Sequence, residues 1–294
     1  MSAVTDRDRA ARSPFRLHLR ANLALLLASA FGLVAFFWPF LIEADGTENL
    51  AHSSDAPWVF ALLLPLLLAI VITEIADGTL DAKAVALLGV LAACGTALRL
   101  PSGVTGFEPV FFLLIPAGRV FGKGFGFVLG ALTLFASALI TGGVGPWLPF
   151  QMLGAAWVGF LAGCLPRGTG RREIVLLAAY GFAAGLAYGF LMNLWFWPFG
   201  SNQGSQISFE FGAPLADNIR RYWGFYLATS LGWDLPRALT NAVLVLVAGR
   251  PVLNALRRVA RRAAFGRPGE FVGAAGPAAS PGATAVPADA APPR

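Results

Sequence analysis

Long, uncharged apolar runs constrain this chain more than anything else in it. A stretch such as LALLLASAFGLVAFFWPFLI, residues 23–42, carries no charge over its whole length. About 20 helical residues cross the roughly 30 Å hydrocarbon core of a bilayer. Only helices or closed barrels satisfy every backbone N–H and C=O in lipid, and these runs are continuously apolar instead of alternating, so the expected fold is an all-α, polytopic membrane helical bundle. A composition of 56% apolar and 13% charged residues argues equally against a water-soluble core.

Eight apolar segments are expected, at about 21–42, 57–75, 82–99, 107–119, 122–141, 147–165, 173–197 and 222–249. The fourth is short and holds Glu108 and Pro116, which leaves it open to being tilted, broken or only partly inserted. Turn chemistry separates the segments: ADGT at 44–47 and again at 76–79, TGGVGP at 141–146, PRGTG at 166–170. The first 20 residues are polar and arginine-studded, with no small-residue cleavage site after the first run, so that run is expected to stay as a helix. From Ala263 onward Ala, Gly and Pro dominate, which predicts a disordered tail over 263–294.

Lys and Arg set the orientation. With the N-terminus inside, one side collects Arg7, Arg9, Arg12, Arg16, Arg20, Lys83, Arg119, Lys123, Arg167, Arg171, Arg172 and the basic run Arg250 to Arg267, while the other keeps Arg99, Arg220 and Arg221. Both termini are therefore expected in the cytoplasm. The same asymmetry accounts for a pI near 10 without any nucleic acid partner. The cluster Arg257, Arg258, Arg261 and Arg262 suits anionic lipid or an acidic partner.

The stretch GKGFGFVLG, residues 122–130, invites a phosphate-loop reading that its spacing refuses. Gly118 and Gly122 enclose three residues where such a loop needs four, and Gly124 follows Lys123 where Ser or Thr must reach a metal. Gly122, Gly126 and Gly130 instead share a helix face on which another backbone can approach closely, with Lys123 at its cytoplasmic end. Gly89, Ala93 and Ala97 repeat the spacing in the third segment. Each face fits a helix of the same chain or a separate subunit.

Catalytic chemistry is poorly provided for. His18 and His52 both fall outside the membrane segments, so a buried serine would lack a base. Cys94 and Cys164 are single and read as small packing residues, with neither a disulfide nor a zinc site expected, and no cofactor is called for. In the last segment Asp234 and Arg237 lie three apart with Asn241 one turn on, an internal ion pair that fixes packing in the middle or inner half of the helix. The outer side is richer: Arg99, Ser102, Thr105 and Glu108 after the third segment; Trp147, Phe150 and Gln151 opening the sixth; Asn193, Trp195 and Trp197 closing the seventh; Asn202, Gln203, Gln206, Trp223 and Tyr226 beyond it. Aromatic walls with a few amides and charges make ligand pockets, although Trp and Tyr also collect at membrane interfaces as anchors. The 198–221 stretch is long and polar enough to act as a lid. Arg99, Glu108, Trp147, Gln151, Asn193, Trp197, Trp223 and Tyr226 are the candidate ligand-binding residues.

From about 82 to 249 the chain resembles the substrate-specific subunit, or S component, of energy-coupling factor vitamin transporters, in an actinobacterial-like form. The likeness lies in the helix carrying Gly89, Ala93 and Ala97, in RLPSGVTGFEPVFFLLIPAGRVFGKGFGFVLGALTLFASALITGGVGPWLPFQMLGAAWVGFLAG, and in WDLPRALTNAVLVLVAG of the last helix. It implies a six-helix core over 82–262 with two extra helices in 21–81, behind a basic arm at 1–20. It further implies a non-enzymatic protein that binds a vitamin from outside, meets a membrane scaffold subunit through Gly89, Ala93 and Ala97, and reorients when two cytoplasmic ABC ATPases drive that scaffold. The nearest resemblance suggests a cobalamin-type corrinoid, with riboflavin as another flat ring system. Three other classes stay open: a membrane packing protein, a lipid-modifying enzyme using Asp234 and Arg237, and a proton-coupled carrier, for which only Asp234 is well placed.

Overall fold

The computed structural model describes residues 19–41, 65, 69, 82–101, 106–145, 147–199, 204–210 and 212–262. The basic arm through His18, most of the expected segment at 57–75, His52 and the 263–294 tail lie outside the described residues. Among the described residues the ordered elements are all helical: α1 (Leu19–Leu41), α2 (Ala82–Arg99), α3 (Val110–Phe121), α4 (Lys123–Thr141), α5 (Leu148–Cys164), α6 (Gly170–Phe196), α7 (Leu215–Phe225) and α8 (Leu231–Arg262). Three helical stretches there are long and apolar enough to cross a membrane: Lys123–Thr141, Gly170–Phe196 and Leu215–Arg261.

Glycines bring α3, α4 and α5 into backbone contact. A Cβ added to Gly126 or Gly130 would overlap the carbonyl oxygens of Gly159 and Ala155, and one added to Gly159 would overlap that of Gly126. Gly118 on α3 abuts Gly159 in the same way. Here the small-residue face of GKGFGFVLG packs against its own chain, since lipid offers no hydrophobic drive between helices and close van der Waals approach must replace it. Gly122 also meets α5, since a Cβ on Gly163 would come within 2.9 Å of its carbonyl carbon, and it has a second role. At φ +101° it is the break between α3 and α4, a backbone conformation open to glycine and few others. The α4 helix then ends at Gly142, whose left-handed conformation turns its N–H onto the carbonyl of Ala138.

The same spacing at Gly181, Gly185 and Gly189, not singled out above, seats α6 against α8. A Cβ on Gly185 would come within 2.7 Å of the Ala238 Cα, and one on Gly189 would strike the Asp234 carboxylate. The fourth expected segment is the short α3, with Pro116 inside it and nearly every side chain buried.

The N-terminal helix packs on this core through Phe36, whose ring lies 5.0 Å from Phe150 and 5.7 Å from Trp157. The Trp157 indole donates to Ser29 Oγ at 3.0 Å. One turn further along α1, Phe40 meets Trp197 and Tyr222.

Two expectations are corrected by packing. The 198–221 stretch is not a loose lid over its described part: α7 begins at Leu215, and Trp197, Phe209, Tyr222 and Phe225 form an apolar cluster with Leu194. The Trp197 indole donates to the Ile207 carbonyl at 2.8 Å, and Asn218 pairs with both backbone groups of Glu210. The second correction concerns the cysteines, which are free and exposed, so neither packs inside this chain. Cys94 faces outward because the buried side of α2 is occupied by Leu88, Leu91, Ala92 and Thr96.

Candidate functional site

The last helix is longer than its apolar run, and that length positions the site. Through α7, a π-helical turn (Tyr226–Ser230) and α8, the chain stays helical from Leu215 to Arg262. Pro236 lacks an N–H and crowds the preceding turn, and the widened turn lies just upstream of it. Arg237, with Asp234 bonded to it, sits near the bundle end where α2 and α4 finish and α5 begins.

A cavity of about 450 Å³ opens at that end. Arg99 reaches it from the last turn of α2, Glu108 from the loop before α3, Ser137 and Thr141 from the end of α4, and Gln151 from the start of α5. Tyr188 and Met192 on α6 and Trp233 and Arg237 on α8 complete much of the wall. Gly106, at φ +71°, lies so close to the Trp233 carbonyl that a Cβ would come within 2.5 Å of it, and this contact carries the Glu108 loop onto α8.

Its polar groups form one network. Arg99 donates to Ser137 Oγ at 3.1 Å and to Gln151 Oε1 at 2.9 Å, and its Nε stands 3.7 Å from Glu108 Oε1. Arg237 bonds Glu108 Oε2 through Nε and Asp234 Oδ1 through Nη1. The Asn241 amide donates to the backbone carbonyls of Glu108 and Arg237, both at 2.8 Å. The Arg237 guanidinium also lies over the Tyr188 ring, 5.4 Å from its centroid. Charged and amide side chains from α2, the loop before α3, α5 and α8 thus share one network, an arrangement that hydrogen bonding makes tolerable away from water.

Of the eight candidate ligand-binding residues, Arg99, Glu108 and Gln151 come together around this cavity, joined by Arg237. The others stand elsewhere. Trp147 is 43% exposed and donates to the Gly143 carbonyl. Asn193 donates to Gly189 on its own helix. Trp197, Trp223 and Tyr226 belong to an aromatic layer with Phe190 and Tyr222, in which Trp223 lies 5.5 Å from Phe190 and 6.0 Å from Tyr226. Wall residues that sequence reasoning missed include Ser137, Thr141, Tyr188, Met192 and Trp233. Tyr188 had a signal: it sits between Gly185 and Gly189, small residues that draw α8 against it.

A second charge cluster closes the opposite end. Glu173, 2% exposed, accepts from Arg119 at 2.9 Å and from Arg257 at 2.7 Å, tying α6 to α3 and α8. Arg257 is therefore held by an internal acid, apart from the rest of its basic cluster.

Among the described residues nothing covers the α2 face predicted for a partner. Gly89, Ala93 and Ala97 are all exposed, and a Cβ added at Gly89 meets nothing within 4 Å.

The apolar helices and the polar cavity at one end of their bundle fit a multi-pass membrane protein. The chain belongs to the family described as ECF transporter, substrate-specific component, which matches residues 83–249, more than half of its length. Membership makes it a transport subunit, not an enzyme. No curated protein and no solved structure matches the chain.

Proposed function

We propose that this chain is the substrate-binding membrane subunit of an ECF-type ABC importer in the plasma membrane. Both termini are cytoplasmic, and the cavity bearing Arg99, Glu108, Gln151 and Arg237 opens outward to capture a vitamin or related micronutrient. A scaffold subunit docks on Gly89, Ala93 and Ala97, and two separate ABC ATPases supply the energy for reorientation. The observation that carries this reading is the cavity itself, assembled from four sequence-distant charged or amide side chains within a chain of this family. The small-residue face on α2, exposed among the described residues, supports the scaffold assignment.

Size bears on the ligand. A cavity of about 450 Å³ lies toward the lower part of the usual 300–1,000 Å³ range for small-molecule sites. It favours a compact vitamin or a flat ring such as riboflavin over the corrinoid suggested by resemblance, which would need the cavity to open further than it does here. The test is to purify the protein without added ligand, identify by mass spectrometry any small molecule that accompanies it, and titrate that molecule calorimetrically. A stoichiometric vitamin bound with nanomolar affinity is expected; a protein that carries nothing and binds no member of a vitamin panel would overturn the reading.

A further inference from the structure

On α8 an exposed apolar stripe turns basic without leaving its face of the helix. Leu239, Val243, Leu246 and Val247 stand open on the outside of the bundle, Val247 at 76% exposure. Arg250, Asn254, Arg258 and Arg261 follow on the same face, and all four are exposed. Steps of three and four residues keep the whole stripe on one side of the helix. The other side stays on the core through Val245, Leu253 and Leu256, so α8 still rests on the bundle where its outer face has become basic. Exposed aliphatic side chains on a membrane helix face hydrocarbon, and the change between Val247 and Arg250 marks where hydrocarbon gives way to headgroups.

Carboxylates are scarce there. Among the described residues Glu173 is the acid at this end of the bundle, and Arg119 and Arg257 already share it. Glu108 and Asp234 belong to the cavity network, while Glu210 and Asp217 pair with Arg221 and Arg220 of α7. Arg250, Arg258 and Arg261 thus have no carboxylate partner among the described residues. The Glu173–Arg257 bond lays the first turn of α6 beside this stretch, and that turn adds Arg171 and Arg172, both exposed. All five free cations are arginines, whose planar fork matches two phosphate oxygens at once, where a lysine offers a point charge.

We propose that the end of α8 remote from the cavity is a docking surface for the phosphate headgroups of anionic phospholipids, held by Arg250, Arg258 and Arg261 with Arg171 and Arg172 beside them. Continuity selects lipid over other polyanions: acyl chains lying along Leu239, Val243 and Val247 bring their own phosphate to Arg250 with no gap to cross. A zwitterionic lipid carries a cation next to each phosphate, whereas an anionic lipid leaves its charge for the arginines. Arg257, grouped with this cluster by sequence alone, is outside it because Glu173 holds it. The surface shares no residue with the cavity.

Native mass spectrometry of the full-length protein in detergent, offered equal amounts of dioleoyl phosphatidylglycerol and dioleoyl phosphatidylcholine, tests the surface. An attraction worth about fivefold per arginine predicts that phosphatidylglycerol is held about 100-fold more tightly. The triple variant Arg250→Gln, Arg258→Gln, Arg261→Gln alters only exposed side chains, so its thermal midpoint should stay near that of the parent while the preference falls to within about threefold of none. A control that removes the same charge elsewhere, Lys83→Gln, Lys123→Gln, Arg220→Gln, should keep the preference within about threefold of the parent. Equal retention of the two lipids, a preference that survives the stripe variant, or one that falls as far in the control overturns the assignment. Displacement of phosphatidylglycerol by equimolar glycerol 3-phosphate would make this a free-phosphate site, and displacement by a polyglutamate peptide would make it a protein-docking surface; either result overturns the lipid.

Discussion

Arg237 is the residue on which the cavity depends most. It neutralises Glu108 and Asp234 together, and its ring contact with Tyr188 sets the cavity floor. Removing one partner of a buried ion cluster costs about 3–5 kcal/mol, because the carboxylates left behind have no compensation. Arg237→Gln is therefore expected to lower the thermal midpoint sharply in detergent, with partial recovery when Glu108→Gln and Asp234→Asn are added. A single variant as stable as the parent would show the cluster to be dispensable. Gly189 matters for the same reason: its missing side chain is the space that the Asp234 carboxylate fills. Sequence spacing made the Asp234–Arg237 pair legible, since residues three apart share a helix face. It did not reveal Glu108 as their partner, which lies 129 residues from Arg237.

At the scale of elements, two faces with the same four-residue spacing of small side chains meet opposite fates. Gly126 and Gly130 are pressed onto the carbonyls of α5, while Gly89, Ala93 and Ala97 stay exposed among the described residues. Gly159→Leu, placed where the α4 and α5 backbones touch, is expected to exceed the roughly 1–3 kcal/mol usual for overpacking, since backbone cannot move aside as a side chain can. Size-exclusion profiles should show aggregated or missing protein. Gly89→Leu should leave the purified protein monodisperse and as stable as the parent, and a comparable collapse there would place an unseen packing contact on α2. Segment existence was readable because an apolar run of bilayer length has few alternatives in lipid. Segment ends were less so. The last helix starts at Leu215, well before its apolar run at 222: Asn218 in its first turn is buried and pairs with both backbone groups of Glu210, and Tyr222 joins Trp197 and Phe209 in an apolar cluster, contacts that no local pattern announces.

For the whole molecule, the proposed cycle separates capture from delivery. Ala93→Leu together with Ala97→Leu should abolish uptake and scaffold association while leaving ligand affinity within about twofold of the parent, as expected for sites with no shared partners. Unaltered uptake would remove the scaffold from this face. Glu173 offers a complementary check at the opposite end. Glu173→Gln leaves Arg119 and Arg257 without their shared acid and should lower the thermal midpoint, with little change in affinity at a cavity built from other residues.

The amino-acid sequence by itself determined the class of this protein. Bilayer-length apolar runs admit only a helical bundle here, the glycine spacing excludes a phosphate loop, and the order of small-residue helices and turns carries the family resemblance. Arg99, Glu108 and Gln151 were readable as candidates because polar groups at helix ends are few in such a chain. Which aromatic residues line the cavity and which merely pack, which glycine face is covered and which is left open, and which arginines an internal acid holds were decided only by tertiary structure. These are properties of contacts between elements far apart in the chain, where burial and pairing depend on what a neighbouring helix presents rather than on the residue's own surroundings in sequence.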